Sequence, residues 1–174
     1  MYKNYKKLAK FTQRIKTVYI KGIKSKKFLS ILKNLKIDVV VDIRYSSVYP
    51  IYFAPKNLRE LLVENEIEYV RFQKLGNPKK LRNRAGENFE LARELYRKHI
   101  LKNHKEYLTD LFKLINRRVN KNYALLCYCP TFDPKLCHRF WLREVLISIK
   151  RIRLGFEGEF KLEYVSKNKI AQEE

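Results

Sequence analysis

A chain of 174 residues, 45% of them apolar, has the size of one domain and the material to bury a core of its own. Its 39 Lys and Arg against 18 Asp and Glu leave a net charge of +21, with no acidic residue before Asp38, so polyanions are the partners that composition points to. No stretch reaches the roughly 20 consecutive apolar residues of a membrane-spanning helix, the first 16 residues lack an apolar signal core, and three cysteines crowded within residues 127–137 are no disulfide framework; the expectation is a soluble cytoplasmic protein without a membrane partner.

Residues 1–16 read as a basic N-terminal segment, residues 17–167 as a single α/β domain and residues 168–174 as a C-terminal tail. Thr17 to Ile23 is a β-branched and aromatic run that predicts a strand, and Phe28, Leu29, Ile31, Leu32 and Leu35 follow at helical spacing. Val39 to Ile43 is almost continuously apolar, as expected of a central strand buried on both faces, and it ends in Asp42 and Arg44. After a tyrosine-rich loop, Pro55 opens a helix carrying Leu58, Leu61 and Leu62, and Ile67 to Phe72 is a third short strand.

Lys74 to Gly86 holds Gly76, Pro78, Gly86 and five basic residues, which predicts an exposed, mobile loop. Residues 88–119 are helical in pattern, with a break near Asn103 that divides two helices. Tyr123 to Cys129 is a fourth strand, and Asp133-Pro134 has the chemistry of an N-cap followed by proline at the first helical position, starting a helix to about Arg153. Glu159 to Val165 reads as a fifth, edge strand. The alternation predicts a three-layer, doubly wound, mostly parallel sheet of about five strands with helices on both faces.

In such sheets ligands bind outside the carboxyl ends of the strands. Two constellations fall there. In Asp42-Ile43-Arg44 the two-residue period puts a carboxylate and a guanidinium side by side. The pair suits either an anion clamp with an acid/base partner or a plain buried ion pair. Tyr45 and Tyr49, just beyond, suit either stacking against a base or packing over the sheet edge.

The second constellation is Cys127-Tyr128-Cys129 at a strand end with Cys137-His138-Arg139 after it. Three readings stay open. Cys127, Cys129, Cys137 and His138 are zinc-type ligands, although Cys137 and His138 would diverge by about 100° if both were helical. Cys137 near a helix N-terminus, beside His138 and Arg139, suits a thiolate nucleophile. Buried cysteines also serve as small core residues. His99 and His104 lie on charge-rich helical stretches and carry no assigned role.

Taken in order, Asp42-Ile43-Arg44, Phe53, Leu58, Leu62, Ile67, Tyr69, Leu75-Gly76, Leu125-Leu126-Cys127 and Cys137-His138-Arg139 give a sequence that resembles the domain of unknown function 488 family from about Thr17 to Leu146. The resemblance implies one α/β domain whose signature residues, here Asp42, Arg44, Cys127, Cys137, His138 and Arg139, share a polar pocket. It implies no established activity. Cys129 stands where such sequences often carry an acid, and Tyr19-Ile20-Lys21-Gly22 replaces a Thr-Ile-Gly start followed by His or Tyr.

The leading expectation is a phosphate-bearing ligand, nucleotide or nucleic acid, bound at the crevice. Arg44, Arg139, Tyr45, Tyr49 and Cys127 would contact it, and Asp42, Cys137 and His138 would be catalytic if the protein is a hydrolase or transferase. Two alternatives accompany it: a non-catalytic basic nucleic-acid-binding module, and a zinc-stabilised structural domain. No motif names a cofactor.

Overall fold

The computed structural model describes residues 2–46, 50–129 and 133–156. The elements run α1 (Tyr2–Gln13), β1 (Ile15–Tyr19), α2 (Ser25–Asn34), β2 (Val39–Asp42), α3 (Pro55–Val63), β3 (Glu68–Arg71), α4 (Lys79–Ala85), α5 (Phe89–Asn103), α6 (Lys105–Arg117), β4 (Tyr123–Cys127) and α7 (His138–Arg153). Short 3-10 helices lie at Ile51–Phe53 and Gln73–Leu75.

The four strands form one all-parallel sheet in the order β1-β4-β2-β3. β2 is central, as its Val-Val-Val-Asp sequence, buried at every position, requires. Strand alternation divides the core. Val39, Val41, Tyr123 and Leu125 face Phe11, Ile100, Phe112 and Trp141 on the side of α1, α5, α6 and α7. Val40, Ala124 and Leu126 face Phe28, Leu32, Leu58 and Leu62 on the side of α2 and α3.

The two helices on the second side end alike. Ile37 N–H donates to the Leu32 carbonyl and Ile67 N–H to the Leu62 carbonyl, each at 2.9 Å, with Lys36 and Glu66 in the left-handed region at φ 51° and 60°. Both closures turn the chain directly into the next strand. The direction of travel across the sheet then reverses: β1→β2→β3 move one way through α2 and α3, whereas β3→β4 returns past β2 through helices on the opposite face. Right-handed crossovers demand that change of face. The loops leaving β2 and β4 therefore part to opposite sides, which makes the carboxyl ends of those neighbours a topological switch point.

Several expectations change. Four strands are present among the described residues rather than five; the strand expected at 159–165 lies outside them. The first strand starts earlier, at Ile15, because the chain is already turning at Lys21–Gly22, where Gly22 takes φ 76°. The first 16 residues hold α1, whose Phe11 is buried against α6 and α7. The expected mobile loop after Lys74 is instead anchored: Leu75, Gly76, Asn77 and Ala85 are buried and α4 packs on α5. The break at Asn103 stands where the spacing placed it, with His104 between α5 and α6.

Asp133 does not cap the last helix. Its carboxylate accepts from the Lys135 N–H at 2.8 Å in a local turn, and α7 starts at His138 with Cys137 as N-cap. No helix among the described residues is long and apolar enough to cross a membrane.

Candidate functional site at the carboxyl ends of β2 and β4

Asp42 ends β2 with its side chain on the α2–α3 side, in register with Leu126 of β4. Its carboxylate accepts from Arg44 Nε at 2.8 Å and Arg44 Nη2 at 2.6 Å, a bidentate pair, and also from the Arg44 backbone N–H at 3.0 Å. Tyr69 Oη on β3 donates to the same carboxylate at 2.7 Å, and Arg44 Nη1 donates to the Phe53 carbonyl at 2.9 Å. Asp42 is 0% and Arg44 1% exposed, so this is a closed, desolvated ion pair with its donors directed at protein acceptors. Burial and the neighbouring Asp42 carboxylate raise the Tyr69 phenol above its ordinary pKa.

Tyr45, half exposed, follows Arg44, and its carbonyl accepts from Gln73 Nε2 at 2.8 Å. Tyr49 lies outside the described residues. Gly76 presses on this stretch: a Cβ there would stand 2.7 Å from the Ile43 carbonyl oxygen and from the Tyr45 nitrogen, both backbone atoms that cannot step aside. The loop after β3 thus clamps the end of β2. Tyr96 holds it from the other side, donating to the Leu75 carbonyl at 2.7 Å.

The thiol cluster occupies the opposite face. Cys127 ends β4 in register with Tyr19 of β1, and Cys129, two residues on, keeps the same direction. Cys127 Sγ lies 3.5 Å from both Cys129 Sγ and Cys137 Sγ, and all three sulfurs are within 4.8 Å of one another. His138 Nδ1 lies 3.7 Å from Cys127 Sγ and 3.8 Å from Cys137 Sγ. The expected 100° divergence of Cys137 and His138 does not arise. Cys137 is in an extended conformation, φ −139° and ψ 134°, and only His138 is helical, so the neighbouring side chains converge.

Arg139 is buried beside this cluster. Its Nη1 donates to the Cys129 carbonyl at 2.8 Å and to Cys137 Sγ at 3.3 Å, and its guanidinium lies over the rings of Phe140 at 4.6 Å and Tyr19 at 5.8 Å. The Tyr96 ring meets His138 edge-on at 5.6 Å, while His138 Nε2 is buried without a hydrogen-bond partner among the described residues. The three thiols titrate as a unit. Hydrogen bonds from Cys127 and Cys137, with help from His138 and Arg139, lower Cys129; donating to their neighbours, with burial added, pushes Cys127 and Cys137 up.

The structure therefore gathers Cys127, Cys129, Cys137, His138 and Arg139 into one group and Asp42, Arg44 and Tyr69 into another, one on each face of the sheet. Tyr69 and Gly76 belonged to the sequence pattern without a role; cross-strand register supplies the first and a backbone contact the second. Tyr96 carried no sequence signal, since a buried tyrosine at helical spacing reads as core, and Tyr19 entered only as a departure from the pattern of the first strand.

A single α/β domain with a buried ion pair and a thiol-imidazole cluster flanking its switch point is the class of protein this architecture defines. The chain belongs to the family described as domain of unknown function DUF488, whose model matches residues 24–146, more than half of the sequence. Neither the curated proteins nor the solved structures contain a match to it.

Proposed function

We propose that this protein is a cytoplasmic nucleic-acid-binding module whose contact surface is the outer face of α1 together with the last turn of α7. The observation that carries the reading is a cluster of cations around two buried phenylalanines, Phe11 and Phe112. The rings of Phe11 and Phe112 lie 5.7 Å apart; Lys150 stands over the first at 5.4 Å and Arg153 over the second at 4.6 Å, while Arg14, 5.8 Å from the first, is buried on the Ile115, Arg118 and Lys121 carbonyls and adds charge rather than a contact. Burial and then the charges of Arg14, Lys7 and Arg153 lower the Lys150 pKa, the sign of a cationic neighbourhood.

Lys3, Lys7 and Lys10 continue it as an exposed stripe at helical spacing on α1, which carries no acidic residue. No salt bridge among the described residues engages these lysines, Lys150 or Arg153. Tyr2 and Tyr5 are exposed on the other flank of α1, Tyr5 with its ring edge on Phe156 at 4.7 Å. The crevice supports ligand binding less well, because Arg44 and Arg139 are buried and donate to protein acceptors.

Fluorescence polarisation with labelled single-stranded DNA, duplex DNA and RNA over a salt series tests the surface. Each phosphate contact contributes a slope of about 0.7 to 0.9 in log affinity against log salt, so replacing Lys3, Lys7 and Lys10 together by Gln lowers the slope by about 2 to 3. Arg139→Ala keeps the wild-type affinity and slope. A folded triple variant that binds like wild type refutes the surface, and binding that collapses in folded Arg139→Ala moves the ligand to the crevice. Absence of salt-dependent binding in wild type removes the function itself.

A further inference from the structure

We propose that Cys127, Cys129, Cys137 and His138 bind one zinc ion, which fastens the end of β4 to the start of α7. Tetrahedral zinc, with thiolates at about 2.3 Å and an imidazole nitrogen at about 2.0–2.1 Å, sets ligand edges of about 3.8 Å between sulfurs and about 3.6 Å between sulfur and nitrogen. The two sulfur pairs at 3.5 Å and the two sulfur-to-nitrogen distances of 3.7 and 3.8 Å fall within a few tenths of an ångström of those edges. Four of the six edges thus stand near tetrahedral spacing and the third sulfur pair closes within 4.8 Å; the three sulfurs form the preassembled set, and His138 completes it by closing on Cys129.

The backbone explains how C-x-C-x7-C-H, an unusual ligand spacing, can work. Cys127 and Cys129 point to one side of an extended strand end, Cys137 caps the helix in an extended conformation, and His138 opens the helix. The ligands thus arrive on two segments, the end of β4 and the start of α7. A mid-helical Cys-His pair could not converge in this way.

Arg139 Nη1 on Cys137 Sγ at 3.3 Å and the Cys129 N–H on Cys127 Sγ at 3.4 Å are donors of the kind that support metal-bound thiolates from outside the ligand set. Soft thiolates with one imidazole select zinc over the hard cations. Binding displaces the thiol protons to solvent and leaves His138 neutral, with Nδ1 as ligand. Four protein ligands close the coordination shell, so the ion is structural and adds no open position for a reacting water.

The site is separate from the α1 surface, so the two proposals stand or fall apart. The test is elemental analysis of the full-length chain purified under a phosphine reductant, followed by cobalt titration of the metal-stripped protein. The expected result is about one zinc per chain, lost with chelator along with a fall in melting temperature. Cobalt then gives thiolate-to-metal charge transfer and the intense visible bands of a tetrahedral site, with those bands shifted in His138→Ala and the charge transfer weakened in Cys129→Ser, the half-buried position. Wild-type protein that contains no zinc and takes up neither zinc nor cobalt overturns the site. So does undiminished uptake by Cys127→Ser or by Cys129→Ser. The wild-type measurement decides the matter even where a variant fails to fold.

Discussion

Asp42→Ala removes the acceptor on which three side-chain donors converge: Arg44 Nε at 2.8 Å, Arg44 Nη2 at 2.6 Å and Tyr69 Oη at 2.7 Å. With Arg44 1% exposed, no water replaces the lost carboxylate without opening the end of β2, while the Phe53 carbonyl still accepts from Nη1. Breaking one side of a buried pair costs about 3–5 kcal/mol, whereas an exposed pair is worth at most about 1. In a domain of this size that loss lowers the melting temperature by about 6–20 °C.

Urea unfolding followed by far-ultraviolet circular dichroism, with the fluorescence of the single buried Trp141 as second probe, measures the change. The double variant Asp42→Leu, Arg44→Met removes both charges and should recover much of the stability that Asp42→Ala loses, because the cost lies in the orphaned guanidinium rather than in the missing attraction. A loss below about 1 kcal/mol in Asp42→Ala would refute the closed pair and return Arg44 to ligand duty.

Two further predictions rest on the same end of the sheet. Gly76→Ala forces a methyl to within 2.7–2.8 Å of the backbone at Ile43 and Tyr45, so it should cost about 3 kcal/mol, the upper range for overpacking, read as a lower urea midpoint. Tyr69 has a pKa raised in the folded state, first by burial and then by Asp42, so the folded protein holds a proton that the unfolded chain releases from about pH 10 upward. Stability contributed by that group is complete below the unfolded pKa and is lost as pH rises towards the folded one. Tyr69→Phe should therefore lower stability at pH 7 by about 1.5–3 kcal/mol, the value of a hydrogen bond to a charged acceptor, and flatten the alkaline decline in thermal melts. An alkaline decline equal to wild type would refute that assignment.

Much of the architecture was legible in the residue order. An apolar β-branched run such as Val39-Val40-Val41 can be stable only as a strand covered on both faces, and the period of Phe28, Ile31 and Leu32 only as a helix with one buried stripe. The same local rules marked Asp42, Arg44, Cys127 and the Cys137-His138-Arg139 run as polar or reactive residues at element ends, where side chains cannot all be core. Local rules failed at residues 74–86 and at Asp133. In the first, glycine and lysine content reads as an exposed loop, but Leu75 joins the core with Val39, Ile43 and Trp141, far away in sequence, and Ala85 is buried where α4 packs on α5. In the second, the N-cap signal is satisfied by a local turn instead of a helix.

Which reactive residues share a site was a tertiary decision. Strand direction and register place Asp42 on one face and Cys127 on the other, a parity that depends on where each strand begins and which neighbour it pairs with. The convergence of Cys137 with His138 depends on the helix starting one residue later than a thiol in its first turn would require, and the seat of Arg139 between Phe140 and Tyr19 joins residues more than a hundred positions apart. Charge, by contrast, was known from composition as a total, and only the packing of α1 against the end of α7 determined where that charge gathers.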